Sequence, residues 1–514
     1  TDPHVDRESL TSAKGSRAAG TCEWITRNAS YRAWLHGDGD GDTRLLWISG
    51  GPGKGKTMLS VFLTEELERY AAGTANAELV FFFCSQQDEK HNTAVAVLRA
   101  LVHQIITKRP QLVKHALPFF ETPEKTQQTL SSLEALWIIF SKLVQDAELG
   151  TMFCVLDGLD ECEESGRATL VSKITTLLAP ATSSPSAKTT FKLAIVSRDL
   201  PGLHGCARVK LDPDNNAEVS SDIERFITVR VDELSRTQGI DGFDDEFRAS
   251  VQKALLERAE GTFLWVGFAV RELLQKQTCT EIWQALAELP SGLPAIYSRM
   301  LLRIPKKHRE VSGAMLRWVT MAIRPLQLPE LAVAVGIKCS DPRISLDRAT
   351  RDAIKRCKPF LEIQNEEVQL VHQSARDYLL QNDLDKGGPF DLFRVRSEEA
   401  HLELALVCLD CVTNSSLKYK SLDLDEWSYS QESALLAYAV SHWPWHAKNS
   451  FLPDADVPCA LRQFFETKHL VRHWWAFLLK RINKKDDYGN TGLHLATRQG
   501  NETVVRLLVD RGAD

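Results

Sequence analysis

Residues 47–60 read WISGGPGKGKTMLS, an apolar run that passes through a glycine-rich turn into the start of a helix. Its centre, GGPGKGKT from Gly50 to Thr57, fits G-x-x-x-x-G-K-[ST] at every fixed position and lies where that motif works, after a strand and before a helix. Glycines at 50, 51, 53 and 55 let successive backbone N–H groups turn inward on a phosphate, and the positive end of the following helix points at the same place. Lys56 is expected to bridge the β and γ phosphates of a nucleoside triphosphate, and Thr57 to offer its hydroxyl to Mg2+. Pro52, Lys54 and Met58 complete the nucleotide-binding stretch.

Such a loop needs acids on a second strand. MFCVLDGLDEC from Met152 is an apolar strand that ends in them. Asp157 at its tip is expected to hold Mg2+, and Asp160 and Glu161 on the next turn to orient or deprotonate the attacking water. FKLAIVSR from Phe191 ends a further strand and puts Ser197 and Arg198 on the same edge of the sheet, where ligands bind in open α/β folds. Arg198 is expected to reach a γ-phosphate. Taken singly, the three segments have competing readings: a turn with an incidental lysine, acids that cap the next helix, and a plain surface arginine.

Around these motifs, residues 44–212 alternate apolar runs with amphipathic stretches: LLWIS from Leu45, LVFFFC from Leu79, helices near 93–108 and 131–146, then RVKL from Arg208. That alternation implies an α/β P-loop NTPase domain with a parallel sheet covered on both faces. PATSSPSAKTT from Pro180 reads as a surface loop. From about 217 to 340 the periodicity is helical, with no strand candidate. Helices and then two short apolar runs, PFLEIQ from Pro359 and VQLVH from Val368, predict a winged helix. The expected order is an N-terminal linker with helices (1–43), the NTPase domain (44–212), a helical domain (213–305), a winged-helix domain (306–383), further helices (384–482) and the start of an ankyrin solenoid (483–514).

At 514 residues the chain exceeds one hydrophobic core, and 43% hydrophobic with 25% charged residues excludes wholesale disorder and fibrous structure. A net charge of −6 offers no global attraction to nucleic acid or an anionic membrane, so neither partner is expected. Eleven cysteines are scattered rather than set at disulfide or zinc spacing, which implies a reducing, cytoplasmic setting; Cys408 and Cys411 read as a helical core pair. The chain opens without methionine and stops inside a repeat, so a larger parent protein is expected.

The set GGPGKGKT, VLDGLDE and IVSR resembles the NACHT branch of the STAND nucleotide-triphosphate switches. GTCEWI from Gly20, FFFCSQQDEKHNTAVAVLRALV from Phe81, GTFLWV from Gly261 and LVHQSARDYLL from Leu370 are similar to the fungal, heterokaryon-incompatibility-type NLR-like proteins. The resemblance covers most of residues 20–381. It implies a switch that is closed on ADP and open, self-associated, on NTP. It also implies that His372 contacts the β-phosphate in the closed state, and that GTF at 261–263 stands where a G-x-P segment meets the base, with Phe263 in place of proline. NTGLHLATRQGNETVVRLLVDRGAD resembles an ankyrin repeat with Gly492 for the usual proline; one repeat cannot bury its own faces, so more are expected, with a protein ligand as partner.

Two features have simpler readings. His442 and His446 in HWPWHA have a metal-like spacing, but Pro444 intervenes and helix packing explains them. RHWWAFLLKRINKK from Arg472 mixes bases with aromatics, as a helix abutting the repeat does. The expected function is thus a signalling switch that hydrolyses ATP or GTP slowly with Mg2+; the choice of base stays open, with no guanine-specific N/T-K-x-D apparent. The alternatives are an AAA-type remodelling ATPase and a nucleotide-locked ankyrin scaffold.

Overall fold

The structure, a computed structural model, describes residues 2–37, 43–86, 91–179, 190–212, 216–238, 240, 242–338, 343–358, 360–381, 390–415 and 434–450. Most of the 180–190 loop, the Arg472 segment and the ankyrin repeat lie outside these. The chain divides into two units, Thr1–Ile296 and Tyr297–Asp514.

The first unit is built on five strands: β1 (Leu45–Ser49), β2 (Ala77–Phe83), β3 (Thr151–Asp157), β4 (Thr190–Ser197) and β5 (Ala207–Lys210). They pair in the order β2-β3-β4-β1-β5, and all four pairings are parallel. The apolar runs have this cause: strands covered on both faces need apolar residues at successive positions, and all five residues of β1 are buried. Before β1 come α1 (Pro3–Lys14) and α2 (Ala29–His36), and between the strands run α3 (Lys56–Ala72), α4 (Ala94–Lys108), α5 (Pro123–Ser131), α6 (Leu133–Gln145) and α7 (Glu164–Leu178). Thr93 and Ser132 start α4 and α6 by accepting from Ala96 N and Ala135 N. Leu98, Leu101, Ile139 and Leu143 from these helices join Val80, Met152 and Ile195 of the sheet in one apolar core. α1 is different: none of its residues is buried, and polar contacts hold it, Arg7 to Glu68 at 2.8 Å and Asp6 to His91 at 3.1 Å. Helices α8 (Ala217–Gln238), α9 (Asp245–Ala259), α10 (Phe263–Leu273) and α11 (Cys279–Glu288) follow, and α12 (Leu293–Leu302) runs across the division at Ile296.

In the second unit, α13 (Arg309–Met321), α14 (Leu328–Ala334), α15 (Leu346–Arg356) and α16 (Gln373–Leu380) surround a sheet ordered β6-β8-β7. Its strands are β6 (Leu326–Gln327), β7 (Leu361–Gln364) and β8 (Glu367–Leu370), paired antiparallel. The hairpin turns at Asn365 and Glu366, both at positive φ (51° and 67°), the form that matches strand twist. β6 corrects the expectation that no strand lies between 217 and 340: two residues are too few to show a period, and only pairing with β8 makes them a strand. Tyr297 anchors the wing, its ring 5.0 Å from Phe360 and its hydroxyl 3.0 Å from Ser374 Oγ.

Last come α17 (Ser397–Thr413) and α18 (Leu436–Lys448). His446 is fully buried, its Nδ1 2.9 Å from His401 Nδ1 and its Nε2 2.8 Å from the Tyr438 hydroxyl, so it packs α18 on α17 as expected. Cys408 is buried in α17 while Cys411 is only partly so.

Candidate nucleotide site

The phosphate loop leaves β1 at Ser49 and enters α3 at Lys56. Gly53 and Gly55 sit at φ +69° and +80°, a conformation that costs other residues about 1 to 2 kcal/mol. Gly55 caps α3 without any side-chain hydrogen bond, so the first N–H groups of the helix are left for a ligand. Lys56 Nζ donates to Gly50 O and Gly51 O, both at 2.8 Å, which bends the lysine back over the loop. Burial lowers its pKa, against the nearby charge of Asp160.

The acids stand at the end of β3. Asp157 accepts from Ser60 Oγ at 2.8 Å and hydrogen-bonds Thr57, and burial raises its pKa. Asp157 and Thr57 offer the hard oxygen donors that would hold Mg2+, and buried Ser60 fixes the Asp157 carboxylate by its hydrogen bond. A Cβ at Gly51 would meet nothing nearer than Lys54 Cγ at 4.0 Å, so the cradle has room on its ligand side. The residues present therefore fit a magnesium nucleotide.

The next turn, Leu159–Glu161, divides its two acids. Asp160 accepts from Arg198 N at 3.0 Å and pairs with Arg198 Nε at 3.3 Å, which ties the acid turn to the end of β4. Glu161 accepts from Gln86 N at 3.3 Å. Burial, and then the charge of Asp160, push Glu161 up to about 7, while Lys14 at the end of α1 opposes the rise. A carboxylate with that pKa can exchange a proton near neutrality.

The resemblance brought GTF at 261–263 to the base; what the sequence reading missed is that segment 260–265, at the start of α10, clamps the phosphate loop. Lys54 Nζ donates to Glu260 O at 2.8 Å. A Cβ at Gly53 would lie 2.7 Å from Thr262 Cγ2, and one at Gly55 3.3 Å from the Phe263 ring. Phe263 in turn meets Phe226 edge to face at 5.5 Å, with Arg230 stacked on Phe226 at 5.0 Å. Gly53→Ala is therefore expected to lose about 1 to 3 kcal/mol in a denaturant titration, because Thr262 is buried and stiff at χ1; an unchanged midpoint would show that the clamp is loose. No local signal marks these contacts, nor that of Lys14, because each partner lies far along the chain. Ser60, one turn beyond Lys56 on α3, was within reach of helical spacing.

His372 is half-buried in the second unit, at the N-cap of α16. Its Nδ1 accepts from Ser374 N at 3.0 Å, so the neutral ring carries its proton on Nε2 and that atom is a donor.

Residues 20–198 match the family described as Nephrocystin 3, N-terminal; residues 297–389 match the GPI inositol-deacylase winged helix domain, and residues 488–514 the ankyrin repeat. The chain is 32% identical over 398 residues to Vegetative incompatibility protein HET-E-1 of Podospora anserina, an alignment that covers 75% of this chain and 28% of that protein. The chain thus spans little more than a quarter of that relative's length. Similar solved structures include the Walker-type ATPase PABY2304 of Pyrococcus abyssi, at 14% identity and TM-score 0.32 over 69% of this chain and 94% of that one. Cdc6p from Pyrobaculum aerophilum follows at 13% and 0.30, over 72% and 96%. The phosphate loop, the acid strand and the matches across the chain make it a member of the NACHT-type, heterokaryon-incompatibility-like family of P-loop NTPases, with a winged helix and an ankyrin repeat behind the nucleotide fold.

Proposed function

We propose that the chain is a nucleotide-dependent signalling switch, closed on ADP, open and self-associated on ATP or GTP, and returned to rest by slow Mg2+-dependent hydrolysis. The observation that carries this reading is the clamp: Lys54, Gly53 and Gly55 of the phosphate loop all touch segment 260–265. A loop that only stored nucleotide would need no such contact; here any shift of the loop on phosphate binding presses on α10. Mg2+, when bound, supplies charge neutralisation at the β and γ oxygens. Lys56 binds those phosphates, Thr57 and Asp157 hold the ion, Glu161 takes the proton of the attacking water, and Asp160 positions Arg198 toward the γ-phosphate. His372, through its Nε2 proton, is the closed-state donor to the β-phosphate that the resemblance implies. The ankyrin array binds a protein ligand, and the setting is cytoplasmic; no helix among the described residues is long and apolar enough to cross a membrane. The role read for the chain is fungal non-self recognition or programmed cell death, and the similarity to a vegetative incompatibility protein supports that reading.

The test compares wild type with His372→Ala. A charge-assisted hydrogen bond contributes roughly 1.5 to 3 kcal/mol, so ADP should leave the variant about ten- to a hundredfold faster. It should also assemble at lower NTP concentration, with His442→Ala as the control. Equal ADP release and equal assembly would remove His372 from the switch. Sustained turnover without assembly would favour a remodelling ATPase.

A further inference from the structure

Arg208 on β5 has no part in the chemistry above, yet its guanidinium reaches two segments that do. In the parallel register it stands opposite Trp47 of β1, and Ser197 of β4 stands opposite Ser49, so the four share one face of the sheet. Its Cζ lies 3.8 Å from the centre of the Trp47 ring. Its Nε donates to Ser49 Oγ at 2.7 Å, one residue before the phosphate loop, and its Nη2 to Asp199 Oδ2 at 3.2 Å, one residue after Arg198. Beyond the ring, Trp47 Nε1 donates to Ser197 Oγ at 2.9 Å, and that hydroxyl donates to Arg198 O at 2.8 Å. The direction of this chain is fixed, because an indole N–H can only donate and the serine has one proton to pass on. Trp47 and Ser197 are fully buried and Ser49 nearly so, whereas the Asp199 side chain is 64% exposed. The buried links therefore carry the connection, and water competes for the outer one. Ser197 O also accepts from Gly50 N at 3.2 Å, so the first residue of the loop hangs from the same serine.

We infer that Arg208, with the Trp47–Ser197 pair it covers, is a positioning residue for Arg198: stacked on the indole, it fixes the backbone on both sides of that arginine and ties it to the root of the phosphate loop. Arg198 N is already held by Asp160 at 3.0 Å, so a carbonyl fixed through Ser197 leaves the residue restrained at both of its backbone polar groups. Its side chain then starts from a set origin, and a group that must meet a developing charge loses rate steeply when it is displaced. A guanidinium suits the place because it lies flat on the indole while its edge N–H groups reach Ser49 and Asp199. A lysine would keep the charge and lose the flat contact and the fork. The effect on hydrolysis rests on the function proposed above; the positioning itself does not.

The test compares Arg208→Ala, Arg208→Lys and Ser197→Ala with wild type in the 514-residue protein, by single-turnover hydrolysis of MgATP, calorimetric MgATP affinity and hydrogen exchange across 197–200. Expected in all three is hydrolysis slowed about tenfold, with affinity within about threefold and faster exchange of the Arg198 amide. Ser197→Ala removes a single oxygen, which separates loss of the relay from loss of the fold. Arg198→Ala should itself slow hydrolysis at least about tenfold, and in that background the same three changes should cost less than about twofold, since the group they position is gone. A full tenfold loss in that background would overturn the inference, and so would a wild-type rate in Arg208→Lys, which would leave charge rather than the stack as the cause. If Arg198→Ala hydrolyses as wild type does, or wild type hydrolyses nothing, the hydrolytic reading fails by itself. Faster exchange of the Arg198 amide in the variants then still upholds the positioning, and unchanged exchange overturns it.

Discussion

Lys56→Ala should bind nucleoside triphosphate at least about a hundredfold more weakly than wild type, since it removes charge-assisted contacts worth roughly 1.5 to 3 kcal/mol apiece from a cradle otherwise made of backbone. The lysine also bonds Gly50 O and Gly51 O, so its loss frees two carbonyls of the loop. Lys56→Met, which keeps the apolar stem, separates the stem from the ammonium group: similar losses in both variants assign the energy to the ammonium group and its contacts. Calorimetric titration with MgATP is the measurement. Affinity within about threefold of wild type in both would remove the phosphate-loop reading, because a hundredfold is about 2.7 kcal/mol.

Glu161→Gln should keep nucleotide binding and lose about a hundred- to ten-thousandfold in single-turnover hydrolysis, the usual contribution of a positioned general base. The base must be ionised to accept a proton. With Glu161 pushed up to about 7, turnover should rise roughly tenfold between about pH 6 and pH 8 and then level off, a profile that disappears in Glu161→Gln. Asp160→Asn should cost less, since what it breaks is the ion pair with Arg198. Replacing both acids by amides should stop turnover while Asp157 and Thr57 still hold the ion. A larger loss from Asp160→Asn than from Glu161→Gln would exchange the two roles.

What the sequence showed well was whatever is recorded within a few residues. GGPGKGKT states its own geometry, and the apolar strands ending in Asp157 and Arg198 announce both their burial and their polar tips. The hairpin 361–370 was visible from its interrupting NEE. Contacts between distant segments were not legible. The contact of Gln86 with Glu161 had no local sign because only the parallel pairing of β2 with β3 brings their segments together. The division of labour between Asp160 and Glu161 depends on which of them faces Arg198 and which Gln86, and adjacent acids carry no sign of that. The order of the strands lay largely beyond reach, since β1 to β4 are mostly apolar on both faces and only β5, with its partly exposed ARVK, hints at an edge.

That order has a metrical consequence. β4 stands between β1 and β3, and neighbouring strands lie about 4.8 Å apart, so the ends that launch the phosphate loop and the acid turn are separated by about 10 Å. The middle strand acts as a spacer gauge. Were β1 and β3 direct neighbours, the lysine and the acids would close on each other as an ion pair and leave no berth for a terminal phosphoryl group with its ion and water. The side chain that ends the gauge is Arg198, already bonded to the acid turn on one side. A charge held between the loop and the acid turn would thus sit over the tip of β4, the middle of the five strands.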